Sequence, residues 1–468
     1  MRKLITAFIL IFSFFLSSQE PLFTLVDSSR AGINFSNELV DTEEHSIFLY
    51  ANYYGGSGVG IGDFDNDGLE DIFFAANLLD DKIYKNLGMF KFEDKTETSG
   101  IINNGSWSTG VTVADVNNDG LVDIYVSCEL YDNAPELRRN KLYINQGSFK
   151  FKESASEWGV DVDRRTRHSV FFDYNNDGLL DLYLLNHPPN TGNFSPFFGT
   201  DMTLPDYNLQ LFENKGSYFV DVTEAAGLNR SGFPNAAVIG DFNKDGWPDI
   251  YVANDFDSPD FLYFNNKDKT FTYATETSLR HTSFYSMGVD AADINNDSHL
   301  DLMVLDMTAE DNFRLKSNMS GMNPDSFWKV VNDGGHYQYM FNTLQLNNGN
   351  ETFSDIAQFT GTAATDWSWS SLVADFDNDG QKDIYITNGL LRDIRNTDAD
   401  KKISDIVSKK INDYIIKNPD NTEITIWDVV DLNELLDLLP SQKLKNYYYK
   451  NDGNLEFSNI TENSGLNQ

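Results

Sequence analysis

Six segments of the chain place acidic and amide side chains at one recurring spacing, D-x-[DN]-x-D-[GS]-x-x-D. Calcium is a hard cation that takes about six to eight oxygen ligands. The side chains at loop positions 1, 3, 5 and 9 and the backbone carbonyl at position 7 can supply oxygens to one ion, and glycine at position 6 permits the turn. In chain order, the residues at these positions are Asp63, Asp65, Asp67, Leu69 and Asp71; Asp115, Asn117, Asp119, Leu121 and Asp123; Asp173, Asn175, Asp177, Leu179 and Asp181; Asp241, Asn243, Asp245, Trp247 and Asp249; Asp293, Asn295, Asp297, His299 and Asp301; and Asp375, Asp377, Asp379, Gln381 and Asp383. The spacing therefore predicts one calcium ion per loop and up to six in the chain.

The six loops differ in charge and in their turn residue. Loops one and six have aspartate at position 3 and so four carboxylates, whereas loops two to five have asparagine there and three carboxylates. The fifth loop has Ser298 where the others have glycine. Because serine tolerates a positive φ less well than glycine, we expect the fifth loop to bind calcium most weakly.

An EF-hand is the first competing interpretation of these loops. That motif requires a bidentate glutamate at position 12. Here the residues at position 12 are Phe74, Val126, Leu184, Val252, Val304 and Ile386. Such residues are typical of a buried strand, which argues against an EF-hand or dockerin.

A plain turn rich in aspartate and asparagine is the second competing interpretation. A single copy would not distinguish a turn from a metal site. Six copies, each with aspartate at position 9, would bring three or four carboxylates together without a counter-ion, and that repulsion favours calcium.

The segments around each loop indicate the elements that must position it. A stretch rich in glycine, serine and small apolar residues precedes the loop, as in residues 55–62 and 107–114. An apolar β-forming segment follows, and then a third and a fourth segment separated by turn residues. Each unit is thus predicted to form four short strands, which is one blade of an all-β β-propeller. Six blades are visible, and the propeller is predicted to span residues 20–468.

The N-terminal part carries a seventh copy of the fourth segment, at residues 22–33. Propellers commonly close by letting an N-terminal strand complete the last blade. Because only six sets of the first three strands are present, we expect a ring with an incomplete seventh blade. The alternatives are a shortened chain and a six-bladed ring with a spare strand.

Insertions fall between the second and third strands of blades three, five and six, at residues 186–207, 306–340 and 390–445. Apolar spacings of three and four over 403–417 and 427–439 predict helices in the last of these. All the insertions would emerge on one face, which makes that face the candidate recognition surface.

Composition limits the possible partners and the compartment. The formal net charge of -37 argues against nucleic acid and anionic lipid, because phosphate binding needs clustered lysine and arginine. Residues 1–19 combine Arg2 and Lys3 with an apolar run from Leu4 to Leu16, which predicts a cleaved signal peptide; the run is short for a membrane anchor. Cys128 is the only cysteine, so an internal disulfide is excluded.

Other reactive residue types give weaker signals. The six histidines are scattered without zinc-ligand spacing, and His187, at the start of an insertion, is the one we would test first. Trp367 and Trp369 alternate on a predicted inner strand, so one of them could line a central channel and stack on a sugar, although core packing is the commoner role. We find no catalytic residues, cofactor-binding fingerprint or nucleophile motif.

The loops, the G-x-G-V-x-x-G-D-F segment before the first loop and the F-x-D-x-T-x-x-x-G-[IL] segment after it resemble the FG-GAP or VCBS repeats of integrin-α-like propellers. The resemblance covers about residues 22–466 and is closest to bacterial exported VCBS-repeat proteins related to the ASPIC/UnbV group. It implies calcium-stabilised blades, with each ion held by the matching Asp and Asn residues. It implies no substrate, because the family is functionally diverse.

Three functions remain open at this point. The first is a binding or adhesion module, secreted, periplasmic or at the cell surface, that recognises an extracellular protein or a glycan. The second is a carbohydrate-active enzyme or enzyme subunit in which carboxylates of the insertions act as acid and base. The third is a passive assembly scaffold.

Overall fold

The computed structural model describes residues 21–188, 207–256, 258–319, 322–419 and 423–466. The predicted signal peptide and most of the insertion of blade three lie outside the described residues.

Six four-stranded antiparallel sheets, each with its strands side by side in chain order, contain nearly all the strands of the described chain. These six sheets, numbered here as blades one to six, confirm the predicted all-β propeller architecture. In chain order the strands are β1 (Val59–Gly62), β2 (Asp71–Phe74), β3 (Lys82–Asn86), β4 (Phe92–Asp94), β5 (Trp107–Ala114), β6 (Asp123–Glu129), β7 (Lys141–Asn145), β8 (Phe151–Glu153), β9 (Arg165–Phe172), β10 (Asp181–His187), β11 (Gln210–Asn214), β12 (Phe219–Asp221), β13 (Pro234–Gly240), β14 (Asp249–Asn254), β15 (Phe261–Asn265), β16 (Phe271–Tyr273), β17 (Thr282–Ser283), β18 (Gly288–Ala292), β19 (Asp301–Leu305), β20 (Gln338–Tyr339), β21 (Thr343–Asn347), β22 (Phe353–Asp355), β23 (Ser368–Ala374), β24 (Asp383–Asn388), β25 (Tyr447–Gly453) and β26 (Glu456–Asn459). Only β17 and β20, a short parallel pair, stand outside the blades.

Short helices follow the fourth strands, and longer ones lie in the insertions. They are α1 (Ser28–Ala31), α2 (Thr96–Ser99), α3 (Ala155–Trp158), α4 (Thr275–Ser278), α5 (Asn312–Ser317), α6 (Pro324–Asn332), α7 (Ala357–Thr360), α8 (Thr397–Lys417), α9 (Leu432–Leu436) and α10 (Thr461–Ser464), with 3-10 turns at Pro135–Arg138 and Ile426–Asp428. None of the described helices has both the length and the apolar character that crossing a bilayer requires.

The helical insertion of blade six differs in detail from the predicted helices. Helix α8 begins before residue 403, because the Asn396 side chain caps it by accepting the Ala399 N–H. The second predicted helix is broken, because Asp431 accepts the N–H groups of Asn433 and Glu434 and so starts α9 as a separate helix.

Neighbouring blades share apolar cores. Between blades one and two, Phe64 and Phe73 pack with Ile124 and Cys128, all fully buried. Cys128 is a free thiol, and its burial raises its pKa to about 11. Equivalent cores join each later blade to the next, up to blade six.

Residues 22–33 lie between blade six and blade one. The Phe23 N–H donates to the Ser464 carbonyl at 2.8 Å, and the Phe23 ring packs edge-on against Phe376 and Tyr448 of blade six, at 5.9 Å between centroids in both cases. On the other side, a Cβ on Gly32 would lie 2.5 Å from the Phe92 carbonyl oxygen, as one on Gly100 would lie 2.4 Å from that of Phe151. The segment therefore occupies the fourth-strand position of a seventh blade, without strand partners among the described residues.

The insertions of blades five and six and residues 39–54 cover one end of the ring, which we call the insertion face. Buried Arg314 of α5 joins two insertions there, because its guanidinium binds both Asp366 (Nε to Oδ2, 2.7 Å) and Asp393 (Nη1 to Oδ2, 3.0 Å). Trp367 is buried among methionines beneath this face, so core packing is its role. Trp369 lines a central channel of about 400 Å³ that the inner strands enclose.

Candidate metal centres

The aspartate at position 1 folds each loop. In loop one, the Asp63 carboxylate accepts the N–H groups of Asp67 and Gly68 at 3.0 and 2.7 Å. The same pair of hydrogen bonds recurs at Asp115, Asp173, Asp241, Asp293 and Asp375. Each loop is therefore folded around its own position-1 carboxylate, and the other lone pairs of that carboxylate are available to an ion.

Position 6 has a positive φ in every loop. The glycines have φ of 84° in loop one and up to 91° in loop six, and Ser298 has φ of 72° in loop five. Serine thus adopts the left-handed conformation that the sequence comparison predicted to be difficult for it. Weak binding by this loop stays a prediction.

The residues at position 7 close the loops through their N–H groups. Each N–H lies 2.8–3.0 Å from the carboxylate at position 5, and the six residues are Leu69, Leu121, Leu179, Trp247, His299 and Gln381. The ring of His299 also lies near this carboxylate, with Nδ1 3.1 Å from Asp297 Oδ1.

The aspartate at position 9 is buried and connects each loop to the third strand. In blade three, Asp181 accepts the Tyr174 N–H at 3.1 Å and the Asn214 N–H at 2.8 Å. Burial raises the pKa of Asp123, Asp181 and Asp249 to about 7. Each of these three carboxylates accepts two backbone N–H groups, and none of them forms an ion pair within the described chain.

An asparagine at the end of the third strand completes this connection, and the sequence reasoning assigned it no role. The Asn145 side-chain amide donates to the carbonyl of Phe64, in loop one, at 2.9 Å, so blade two is tied to the loop of blade one. The equivalent bond joins each later blade to the loop before it, from Asn214, Asn265, Asn347 and Asn451. The sequence feature that could have indicated this connection is an asparagine at the same place in all six repeats, from Asn86 onwards.

The carboxylates converge most closely in loops one and six. Oxygens of Asp63, Asp65 and Asp71 all lie within 4.8 Å of one another, and so do those of Asp375, Asp377 and Asp383. Loops two to five have an asparagine oxygen in place of the position-3 carboxylate. In loops one and six the side chains at positions 1, 3 and 9 are thus brought together, and the position-5 carboxylate is not a member of either group.

A lysine from the third strand reaches the carboxylates of these same two loops. Lys85 Nζ contacts Asp65 and lies 2.8 Å from Asp67 Oδ2. Lys450 contacts Asp377 and lies 2.7 Å from Asp379 Oδ2. Hydrogen bonds to these carboxylates raise the lysine pKa values above their usual range.

Loop three contains an oxygen that protein donors leave unsatisfied. Asn175, at position 3, is 9% exposed, and its Oδ1 is buried without a hydrogen-bond partner in the described chain. Its amide nitrogen donates to Glu213 at 3.2 Å, which orients the oxygen away from that contact. Asp65 Oδ1 in loop one is likewise buried and unpartnered. Buried oxygens without donors are the groups that a hard cation satisfies, so the donor set fits calcium.

Among the described residues, the His299 ring contacts a loop carboxylate, but no histidine belongs to the two converging carboxylate groups. Buried His187 has Nε2 2.8 Å from the Pro234 carbonyl oxygen, and burial lowers its pKa to about 4, so its imidazole is neutral. The groups of potential metal ligands found among the described residues contain only aspartates. His187 is thus part of the core beneath the insertion face.

Buried carboxylates outside the loops also hold backbone in place. Asp306 accepts the N–H groups of Phe284, Tyr285 and Met307, and Asp260 accepts the Tyr251 hydroxyl at 2.6 Å and the Asn254 N–H at 2.8 Å. Their oxygens are used in fixing turns.

Three comparisons relate this chain to known proteins. The family of FG-GAP-like repeats matches residues 43–126, 241–304 and 327–386, which include every loop except the third. Cartilage acidic protein 1 of Xenopus tropicalis is 26% identical over 164 residues, which are 35% of this chain and 24% of that relative's length.

Two solved structures are distantly similar. A lectin of Agrocybe aegerita that recognises non-reducing terminal N-acetylglucosamine is 16% identical with a TM-score of 0.43, over 86% of this chain and 78% of the lectin. A GH32 β-fructofuranosidase of Bombyx mori is 9% identical with a TM-score of 0.30, over 70% of this chain and 68% of the enzyme. Likeness at this level carries no argument about a ligand.

Proposed function

The chain is a β-propeller built from FG-GAP-like repeats, and on that premise we propose that it is an exported recognition module whose blades are held by calcium. The proposal has three parts, which are calcium in the loops, recognition of an extracellular protein or glycan by the insertion face, and export directed by residues 1–19.

The observation that carries the calcium proposal is the unpartnered Asn175 oxygen in a loop whose other members are carboxylates. A buried polar atom left without a partner costs about 1–3 kcal/mol. Oxygen donors recur at the same positions in all six loops, as carboxylates at positions 1, 5 and 9 and as a carboxylate or an amide at position 3.

When bound, calcium would supply positive charge and oxygen coordination to positions 1, 3, 5, 7 and 9. The chain's own residues transmit the consequence to the ring. The position-9 aspartate holds the third strand, and the asparagine of that strand holds the loop of the preceding blade. A change at one loop therefore bears on two blade interfaces.

The insertion face offers the better candidate surface for recognition. It carries a cavity of about 470 Å³ lined by Tyr50, Tyr131 and Arg165 among others, next to one of about 550 Å³ that shares Arg165. Aromatic rings and arginine are the side chains that most often anchor protein and glycan ligands. We favour a binding module over an enzyme because the buried carboxylates near this face have structural partners: Asp260 and Asp306 accept backbone and hydroxyl donors, Asp366 and Asp393 bind Arg314, and Glu129 binds Tyr50 and Arg167.

Calcium titration with thermal unfolding tests the structural half of the proposal. Free calcium at about 100 times Kd stabilises a protein by about 2.7 kcal/mol per filled site, so the melting temperature should rise with calcium and fall again with EDTA. Magnesium is the matched ion, and we expect it to give a smaller rise because it prefers near-octahedral sites. Equal melting temperatures in calcium and in EDTA would refute the proposal.

A variant separates loop binding from a general effect of divalent ions. Asn175→Ala removes the unpartnered oxygen, so it should lower the number of calcium ions bound by one in isothermal titration. Asn348→Ala, at an exposed asparagine in the turn after β21, is the matched control. An unchanged number of bound calcium ions in Asn175→Ala would show that Asn175 is not needed for a calcium site in loop three.

Ligand and export are tested separately. A glycan array and a pull-down from extracellular fractions should recover one class of ligand whose binding is lost on mutation of Arg165 to alanine but not of Lys91. For export, deletion of residues 1–19 should retain the protein in the cytoplasm; secretion of the deleted form would contradict the signal-peptide assignment.

A further inference from the structure

One cavity of the insertion face is bounded by residues 44–50, by residues 130–134 after β6 and by Arg165 at the start of β9. Its volume of about 470 Å³ lies within the range of about 300–1,000 Å³ that is usual for small-ligand sites. Aromatic, apolar and ionisable side chains all line it. The cavity thus has the size of a site for a small ligand or for one short segment of a polymer.

Asp132 presents a half-exposed carboxylate to this cavity. Arg138 Nη1 donates to its Oδ1 at 2.7 Å, and Arg165 donates to both of its oxygens, with Nε 2.9 Å from Oδ1. The two arginine side chains are only 16% and 10% exposed, whereas that of Asp132 is 50% exposed. A carboxylate has about four lone-pair positions, so these donors leave Asp132 able to accept a further hydrogen bond. The arginines fix its orientation, and the carboxylate is the group that a ligand reaches.

Tyr131 and Leu49 supply the apolar walls. The ring of Tyr131 is half-buried and packs edge-on against His45, with 5.5 Å between the centroids, and Leu49 is 49% exposed. Leu130, which precedes Tyr131, has φ of 77°, a conformation that bulky residues rarely adopt. Strained backbone of this kind is most common at ligand sites. Here it lies where the chain turns from β6 towards Tyr131 and Asp132.

The charges around the cavity cancel. Glu44 and Asp132 are negative, and Arg138 and Arg165 are positive. An anionic ligand would have to displace Asp132 from its arginines within a chain of net charge -37, and a cationic ligand would face the two arginines. An uncharged ligand that donates hydrogen bonds meets neither penalty.

A sugar unit has both features that these groups fit, because its hydroxyl groups can donate to a carboxylate and the C–H groups of a ring face can pack on an aromatic ring. We propose that this cavity binds a neutral sugar unit of a glycan, with Asp132 accepting a hydroxyl group and Tyr131 packing against a C–H face. The inference rests on the proposed recognition by the insertion face, and it narrows the ligand from a protein or glycan to an uncharged glycan.

A glycan array followed by isothermal titration tests the class of ligand. The full chain in millimolar calcium is presented with uncharged oligosaccharides of glucose, galactose, mannose and xylose, with uronate-containing and sulfated glycans, and with a lysine-rich peptide. We expect saturable binding of at least one uncharged oligosaccharide and none of the charged probes. Binding of charged probes alone, or of no oligosaccharide, would overturn the proposal.

A carboxylate-to-amide change tests the assigned contact. Asp132→Asn keeps the shape of the side chain but removes the charged acceptor, so it should weaken oligosaccharide binding by about tenfold or more. Asp163→Asn is the matched control, because the Asp163 side chain is 49% exposed and lies 3.9 Å from the Arg139 guanidinium, outside this cavity. Equal affinities of the two variants would refute the role of Asp132.

A second variant does not depend on the stability of Asp132→Asn. Leu49→Arg fills the cavity from an exposed position, so it should abolish oligosaccharide binding at an unchanged melting temperature. Leu391→Arg, at a residue 52% exposed elsewhere on the insertion face, should leave binding intact. Undiminished binding by Leu49→Arg would place the sugar outside this cavity.

The pull-down separates this inference from the proposed function. A protein ligand whose binding is lost in Arg165→Ala, without binding of any oligosaccharide, would leave recognition by the insertion face standing and would refute the sugar site. Absence of both kinds of ligand would refute both proposals.

Discussion

Loops one and six hold a lysine among their carboxylates, whereas loops two to five replace one carboxylate with an amide. The residue that is lysine in β3 and β25 is Ile144, Glu213, Phe264 or Leu346 in the other blades. At this strand position lysine thus occurs only where loop position 3 is aspartate, although Lys267, from the turn after β15, also pairs with Asp245 of loop four at 3.3 Å. In both designs the loop carries one negative charge fewer than four carboxylates would give.

Both kinds of loop thus reduce the repulsion among their own carboxylates before any ion binds. Lysine does so with a flexible charge that an arriving cation can displace, and asparagine does so permanently. Glu213 is the exception, since it adds a carboxylate beside Asn175, but Lys215 and Lys269 bind it in turn. We therefore expect the lysine loops to lose less stability than the amide loops on calcium removal, because the lysine takes the place of the ion.

The largest predicted effect is common to both designs. Asp181→Ala in an amide loop leaves two buried N–H groups without an acceptor, and Asp71→Ala in a lysine loop leaves one buried and one partly buried N–H group, so each should lower the free energy of unfolding by about 2–4 kcal/mol. Urea unfolding in EDTA measures the loss, with Asp80→Ala at an exposed site as control. A loss in only one of the two loops would show that amide loops and lysine loops also differ in how much stability the position-9 aspartate contributes.

A smaller effect should separate the two designs. Lys85→Met leaves Asp65 and Asp67 facing each other, and it should cost about 1 kcal/mol in EDTA, because the lysine is partly exposed and its ion pairs are screened. In calcium the cost should vanish or reverse, since the cation replaces the ammonium group. Lys91→Met is the control, and an equal loss in calcium and in EDTA would mean that the lysine is structural rather than a substitute for the ion.

The smallest predicted effect lies within the amide loops. Ser298→Gly removes a side chain from a residue with φ of 72° and should stabilise the chain by about 1 kcal/mol. Gly246→Ser, the reciprocal change in loop four, should destabilise by a similar amount. A rise in stability without a rise in the calcium affinity of loop five would contradict the prediction, because the turn at Ser298 would then not limit calcium binding.

The blades could be predicted because the repeat supplied six aligned copies of each strand and loop. The bond from Asn145 to Phe64 could not, because it joins residues 81 positions apart and nothing local marks the partner. The contact of Lys85 with Asp65 could not be predicted either. A partly exposed lysine on a strand is common, and only the fold brings this one to the loop. The break before α9 was not predicted, because the apolar spacing continues through residues 427–439. Asp431, a helix-capping residue within this range, is the sequence feature that could have indicated it.

The lone thiol in the seam between blades one and two has a practical consequence. Because Cys128 is enclosed and protonated at neutral pH, a thiol reagent can reach it only in molecules where that seam has parted. The rate at which Cys128 is labelled therefore measures how often blades one and two separate. The measurement uses the native protein and needs no engineered probe.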